Sequence, residues 1–208
     1  MYKPFFKRII DFIVSVFCFV IFLPFFLPLC ILLFIINKGN PFFTQDRPGL
    51  NEKVFKLIKL KSMNNKTNNG VLLPDEERLT KVGAFLRKTS LDEIPQLINV
   101  IAGEMSLVGP RPLRTHYLPY YTKKEALRHT VRPGITGLAQ VSGRNAVDWD
   151  EKLEFDVEYV NKLSFSFDVY ILVKTVIKVF KSSEVLLDDT NMMTFDAHRS
   201  KQNNTLIN

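Results

Sequence analysis

The chain has 208 residues, 46% hydrophobic and 24% charged, with a formal net charge of +7. That length fits one compact domain with appendages, and the basic excess predicts an acidic partner, whether nucleic acid, anionic lipid or a phosphorylated substrate. The only cysteines, Cys18 and Cys30, lie inside an apolar stretch, which excludes a disulfide framework; His116, His129 and His198 are scattered without zinc-ligand spacing, so a metal would be a hard cation on oxygen.

Residues 12–36 carry no charge and are numerous enough to cross the hydrocarbon core of a bilayer. A cleaved signal peptide fits poorly, because the segment is long and exits through Ile35-Ile36-Asn37-Lys38 rather than a small-residue cleavage site. Pro24 and Pro28 fall in its middle, each removing a helix donor at a cost of about 3 kcal/mol. Lys3, Lys7 and Arg8 precede the segment, and Lys38, Arg47, Lys53, Lys56, Lys59 and Lys61 follow it. The positive-inside rule then puts both ends on the cytoplasmic face and predicts a re-entrant helix turning at Pro24; a tilted, proline-kinked single span is the alternative.

Apolar runs at 42–45 and 54–60, separated by Arg47-Pro48-Gly49, read as a short hairpin. Its lysines 56, 59 and 61 suit either anionic headgroups, a nucleotide or plain solvation. Residues 64–70 form a polar loop. A helix is expected over 75–88, capped by Asp75 and striped with Leu79, Val82 and Leu86, and it delivers Arg87 just before the densest stretch of the chain.

That stretch is 89–113, TSLDEIPQLINVIAGEMSLVGPRPL. Ser90 and Glu93 fit a capping box, in which the serine hydroxyl caps the Glu93 amide and the carboxylate reaches back to Ser90. Leu91, Ile94, Leu97, Ile98 and Ile101 recur at helical spacing, Pro95 sits near the helix start, and Gly103 stops it. A helix N-terminus also keeps an aspartate ionised, so Asp92 could be a nucleophile or a magnesium ligand rather than a structural cap. Downstream, Pro110 and Pro112 fix the backbone on both sides of Arg111, whose planar fork suits phosphoryl oxygens; a solvated surface turn is the bland alternative.

The same residues resemble the core motif of the bacterial sugar transferases, the monotopic phosphoglycosyl transferases. The resemblance extends upstream through FTQDRPG at 43–49, KLKSM at 59–63 and RLTKVGAFLR at 78–87, and downstream through RPGITGLAQVSGRN at 132–145. The length is similar to that of the smallest, PglC-like members, with one membrane segment. One departure is that Leu23 precedes Pro24, where many members carry serine, so the partner of the carbonyls freed at the break is open.

Residues 116–126 mix Tyr117, Tyr120 and Tyr121 with lysines and read as helix surface plus core. Arg132, Gly134, Gly137, Gly143 and Arg144 make a glycine-punctuated basic loop whose amides could approach an anion, though it matches no standard nucleotide loop. Two helices follow. Trp149, Leu153, Val157, Val160 and Leu163 line the first. The second sets Val169, Leu172, Val173, Val176, Ile177 and Phe180 beside Lys174, Lys178 and Lys181, a pattern suited to a membrane interface or to ordinary core packing. From 182 onward the chain is polar and is expected to fray.

The resemblance implies an α+β, mainly helical protein: a re-entrant membrane helix (1–38), a compact catalytic domain (39–182) with a small β-hairpin and interfacial amphipathic helices, and a polar tail (183–208). It implies transfer of a sugar-1-phosphate from a UDP-sugar to polyprenyl phosphate at the cytoplasmic face of the bacterial inner membrane, with UMP released and glycoconjugate assembly begun. Asp92 would be the nucleophile and a ligand of Mg2+, Glu93 would take or hold the lipid phosphate's proton, and Arg87, Arg111 and Arg144 would hold phosphoryl oxygens. Membrane lipid is an expected partner and nucleic acid is not. A magnesium phosphohydrolase using the same aspartate, or a non-catalytic basic membrane adaptor, are the rival readings.

Overall fold

A computed structural model describes residues 2–142, 148–181 and 193–207. After a short π-helical turn (Tyr2–Phe6) comes α1 (Lys7–Ile36), a 30-residue helix that Pro24 and Pro28 do not terminate. Lys7, Asp11 and Ser15 repeat every fourth residue and face inward together. Lys7 Nζ donates to Asp168 at 2.7 Å, and Tyr2 and Tyr159 donate their hydroxyls to the same carboxylate at 2.6 and 2.8 Å. Asp11 accepts from Ser106 Oγ at 2.6 Å, and Arg8 donates to the carbonyls of Val100 and Ile101. The other half of α1 is held by apolar contact instead: Phe26 and Leu33 are buried with Leu60 and Leu86. Most of the remaining side chains on α1 are large, apolar and exposed, a surface water would not tolerate on a soluble domain.

The expected hairpin is present as β1 (Phe42–Pro48) and β2 (Val54–Leu60), antiparallel with Phe42 opposite Leu60. Within the polar loop, β3 (Thr67–Asn68) and β4 (Val71–Leu72) add a minimal second hairpin. The single helix expected over 75–88 is instead two, α2 (Asp75–Arg78) and α3 (Lys81–Thr89). Asp75 is not a cap: Pro74 occupies that position, and Asp75 pairs with Arg78. Thr80 caps α3, its hydroxyl accepting from the Gly83 amide at 2.9 Å. A Cβ on Gly83 would lie 1.8 Å from the Ser62 carbonyl oxygen, so only glycine lets α3 come this close to the end of the hairpin.

The α4 helix (Gln96–Ala102) ends at Gly103 in the left-handed region, as its sequence predicts. Asn99, buried on α4, donates to the Lys56 carbonyl and accepts from the Ile58 amide, tying the helix to β2. Next comes β5 (Ser106–Val108), paired in parallel with β6 (Gly134–Thr136), a pairing the sequence does not announce. Then follow α5 (Leu138–Ser142), α6 (Trp149–Lys162) and α7 (Phe165–Lys181). Leu153, Val157 and Val160 are buried along α6 as expected, whereas Val169, Val173, Val176 and Ile177 of α7 are exposed. The polar tail does not simply fray. It contains α8 (Phe195–Ile207), anchored by a fully buried Phe195 among Tyr117, Tyr121 and Trp149.

Candidate active site

The centre is a single 3-10 turn, Leu91–Glu93, between α3 and α4. Ser90 before it sits at φ 57, in the left-handed region, and closes α3 rather than opening the next helix. Its side chain caps nothing there, so the capping box predicted for Ser90 and Glu93 does not form; the Glu93 amide donates to the Ser90 carbonyl instead. The physical reason is competition. Ser90 is already the residue that reverses the chain out of α3, and a left-handed backbone cannot also present its hydroxyl as an N-cap.

Glu93 turns away from the backbone toward cations. Its Oε1 accepts from Lys59 Nζ at 2.6 Å and from Arg111 Nη2 at 3.2 Å. Burial pushes its carboxyl up, but these two cations and their hydrogen bonds outweigh that and hold the pKa at about 2. Asp92, one residue earlier and only 7% exposed, behaves oppositely. Burial, and then repulsion from Glu93, raise its pKa to about 6 against the opposing charges of Lys59, Arg111 and Arg87. Among the described residues nothing hydrogen-bonds to the Asp92 carboxylate. It is therefore ionised at neutral pH yet more basic than an ordinary aspartate, which is the condition of a poised nucleophile.

Of the phosphate-binding candidates, Arg87 and Arg111 converge on this turn. Arg87 is oriented by donating its Nε to Ser62 Oγ at 3.0 Å, and Arg111 is half exposed with its fork on Glu93. Arg144 falls outside the described residues. Lys59, Arg87 and Arg111 against Asp92 and Glu93 leave an excess of one positive charge, which favours an anionic ligand. From sequence Lys59 is named only together with Lys56 and Lys61, with headgroups, a nucleotide or solvent as the alternatives for all three. The signal was in the strand alternation, since Phe55, Leu57 and Lys59 share a face of β2 and the third is a lysine where the first two are buried.

The described glycines of the 132–144 stretch pack closely against the neighbouring backbone. The Gly134 amide donates to the Pro110 carbonyl at 3.0 Å, and a Cβ on Gly134 would lie 2.1 Å from the Gly109 nitrogen. These described glycines permit close packing against the turn that carries Arg111, while Gly143 lies outside the described residues. Arg128, another residue the sequence did not flag, fixes that turn from the other side. It is 3% exposed, donates to the Arg111 carbonyl at 2.6 Å and pairs with Asp156 at 2.8 Å.

As for a metal, no group of three potential ligand side chains occurs among the described residues. Glu93 is committed to cations, which leaves Asp92 with unshared lone pairs. One carboxylate suits magnesium, which keeps much of its water and takes other oxygens from substrate phosphates.

A buried Asp92 and a partly buried Glu93, faced by Lys59, Arg87 and Arg111, thus sit on a domain fronted by a long apolar helix. Residues 2–182 match the model of the bacterial sugar transferase family, and the chain belongs to that family. It is 54% identical over 158 residues to the uncharacterized sugar transferase EpsL of Bacillus subtilis, covering 75% of this chain and 77% of that one. The exopolysaccharide production protein ExoY of Rhizobium meliloti is 36% identical over 188 residues, 82% of this chain and 83% of ExoY. The UDP-glucose:undecaprenyl-phosphate glucose-1-phosphate transferase of Escherichia coli is 44% identical over 155 residues, 69% of this chain but 33% of that larger protein.

Proposed function

We propose that this enzyme moves a sugar-1-phosphate from a UDP-sugar to a polyprenyl phosphate and releases UMP, in two steps through Asp92. The observation that carries the reading is the Asp92 carboxylate: enclosed, without a hydrogen-bond partner among the described residues, and faced by Lys59, Arg87 and Arg111. In the first step a carboxylate oxygen of Asp92 bonds to the β-phosphorus, the bond from that phosphorus to the bridging oxygen breaks, and UMP leaves. In the second, an oxygen of the lipid phosphate attacks the same phosphorus and Asp92 is freed as a carboxylate. Arg87 and Arg111 hold phosphoryl oxygens through both steps.

Glu93 aligns Lys59 and Arg111 beside Asp92 through its bonds to both. The lipid phosphate, whose second pKa is about 6, needs little base strength to lose its proton, and Glu93 holds that proton or its site at most weakly. Bound magnesium, held by Asp92 and the diphosphate, would screen the charge that otherwise repels the carboxylate. Chelation should accordingly stop UMP release, and added magnesium should restore it.

A re-entrant α1 completes the proposal. Straight, the helix would separate Arg8 from Phe26 by about 27 Å and from Leu33 by about 37 Å. Yet Arg8 bonds to the last carbonyls of α4, while Phe26 and Leu33 share a cluster with Leu91 and Ile94 at its start. Phe19 and Phe26, two turns apart, bring their rings to 6.0 Å. A bend about Pro24 accounts for both facts and puts the dyad beside the bilayer, with the exposed stripe of α7 lying in the interface on the cytoplasmic face. Reporter cysteines at positions 3 and 38 should be equally protected from an impermeant periplasmic reagent; labelling of one alone would mean a span. A panel of UDP-sugars, with UMP release read in the presence of polyprenyl phosphate and magnesium, tests the chemistry. Sustained release without the lipid would mark a hydrolase instead.

A further inference from the structure

The family match ends at residue 182, and α8 lies beyond it. Between Phe195 and its last two residues α8 is mostly polar and has no apolar stripe, so it should not dock for burial alone. It docks nonetheless. Phe195 is completely buried, with its ring 5.2 Å from that of Tyr121, 5.3 Å from Trp149 and 5.5 Å from Tyr117. Arg199 stacks over Phe195, donates to Asp150 at 2.9 Å and also pairs with Glu125; Gln202 donates to Asp150 as well. These contacts grip the chain on both sides of the segment that follows Arg111.

From the Phe195 cage a continuous set of contacts leads to the active site. The Tyr121 hydroxyl accepts from Arg128 Nη1 at 3.1 Å, and Arg128 Nη2 donates to the Arg111 carbonyl at 2.6 Å. Arg128 is buried and its remaining donors go to Asp156, so it has no room to follow Tyr121 without dragging the Arg111 carbonyl. The Arg111 side chain, at the end of this chain of contacts, is 3.2 Å from Glu93.

We propose that α8 is a latch that sets the position of Arg111, acting through Phe195, Tyr121 and Arg128 as positioning residues. The catalytic consequence rests on the reading of Arg111 as a ligand for the donor's phosphates. With α8 docked, the guanidinium is held over the dyad; with α8 released, Tyr121 and Arg128 relax and the proline-flanked turn loses one of its restraints, while the contact with β6 stays. A docked α8 thus raises affinity for the UDP-sugar, and whatever removes or displaces α8 lowers it.

The test uses the full chain in membranes and three changes: Phe195→Ala, Tyr121→Phe, and a chain ending at Thr194. Phe195→Ala and the shortened chain should raise the KM for the UDP-sugar roughly tenfold while changing kcat less than about threefold, because a lost ground-state phosphate contact acts on binding. Tyr121→Phe keeps the ring and removes only the hydroxyl, so it should move KM in the same direction by less. In an Arg111→Ala background Phe195→Ala should change KM by less than about twofold, since the arginine it positions is already gone. Equal losses in both backgrounds would mean that α8 is only a structural prop and would overturn the proposal. Hydrogen exchange supplies a readout independent of turnover: Phe195→Ala should speed exchange in peptides covering 106–114 and leave β1 and β2 unchanged. Unchanged exchange at 106–114 would overturn the latch. If the wild-type chain releases no UMP from any donor, the transferase reading fails, and the exchange experiment still decides the latch.

Discussion

Two clusters of paired charges meet at Arg111, one at its carbonyl and one at its guanidinium, and they are built on different principles. On one side Arg128 and Asp156 are both buried, and every guanidinium nitrogen has an acceptor: Asp156, the Tyr121 hydroxyl or the Arg111 carbonyl. Burial works against the Arg128 charge, but Asp156 more than offsets it and keeps the guanidinium protonated. On the other side the dyad is deliberately uneven. Glu93 takes both direct cation contacts and is stabilised as an anion, whereas Asp92, its neighbour, is left charged and enclosed with no hydrogen bond among the described residues. A completed cluster holds a turn in place; a strongly perturbed, incompletely bonded carboxylate is what marks a candidate site.

The largest effect that separates the two clusters should come from Asp92→Asn. It should cut UMP release by at least about a thousandfold, as loss of a covalent nucleophile does. The same substitution should make the folded protein more stable at neutral pH. Asp92 binds its proton more tightly folded than unfolded, so its contribution to stability is lost as pH rises through about 6. Thermal melts at pH 7.5 should therefore show a gain of roughly 1–3 kcal/mol for the variant, shrinking below about pH 4. A variant that is both inactive and less stable would place Asp92 in a structural role.

Asp156→Ala should do the reverse, costing about 3–5 kcal/mol in denaturant titrations because it strands a buried guanidinium. Next in size is Glu93→Gln. Its depressed pKa means that Glu93 stabilises the fold above the unfolded value, and that contribution is lost as pH falls through about 2. The variant should lose roughly 1–3 kcal/mol at pH 7 and bind UDP-sugar less tightly, with the difference fading in acid. Smallest is the pH response of the wild type: kcat/KM should fall about tenfold from pH 7 to pH 5 as Asp92 takes up its proton near 6.

The sequence carried the elements whose signals are local. The hairpin, the apolar face of α6 and the Gly103 stop each announce themselves within a few residues. It misled where one residue serves two neighbours: Ser90 fits a capping box on paper but ends α3, and that fact depends on where α3 stops. It was silent on contacts made across the chain. Three-residue strands such as β5 and β6 have no readable alternation, and their pairing joins segments 28 residues apart, as Ser106 opposite Gly134 shows. Arg128 likewise has no motif to mark it, because its partners, Asp156 and the Arg111 carbonyl, are brought to it only by folding. For α8, one phenylalanine in a polar segment gave no period to detect, and its partners lie more than 40 residues away.

The two-step mechanism through Asp92 is tested most directly by a single-turnover experiment with UDP-sugar and magnesium but no polyprenyl phosphate. About one UMP per active site should be released before the reaction stalls, with an acid-quenched sugar-phosphate adduct on the peptide containing Asp92 that disappears when the lipid is added. Release only when both substrates are present, with no adduct trapped on the millisecond timescale, would contradict that mechanism and leave Asp92 as a ligand of magnesium while the lipid phosphate attacks the donor directly.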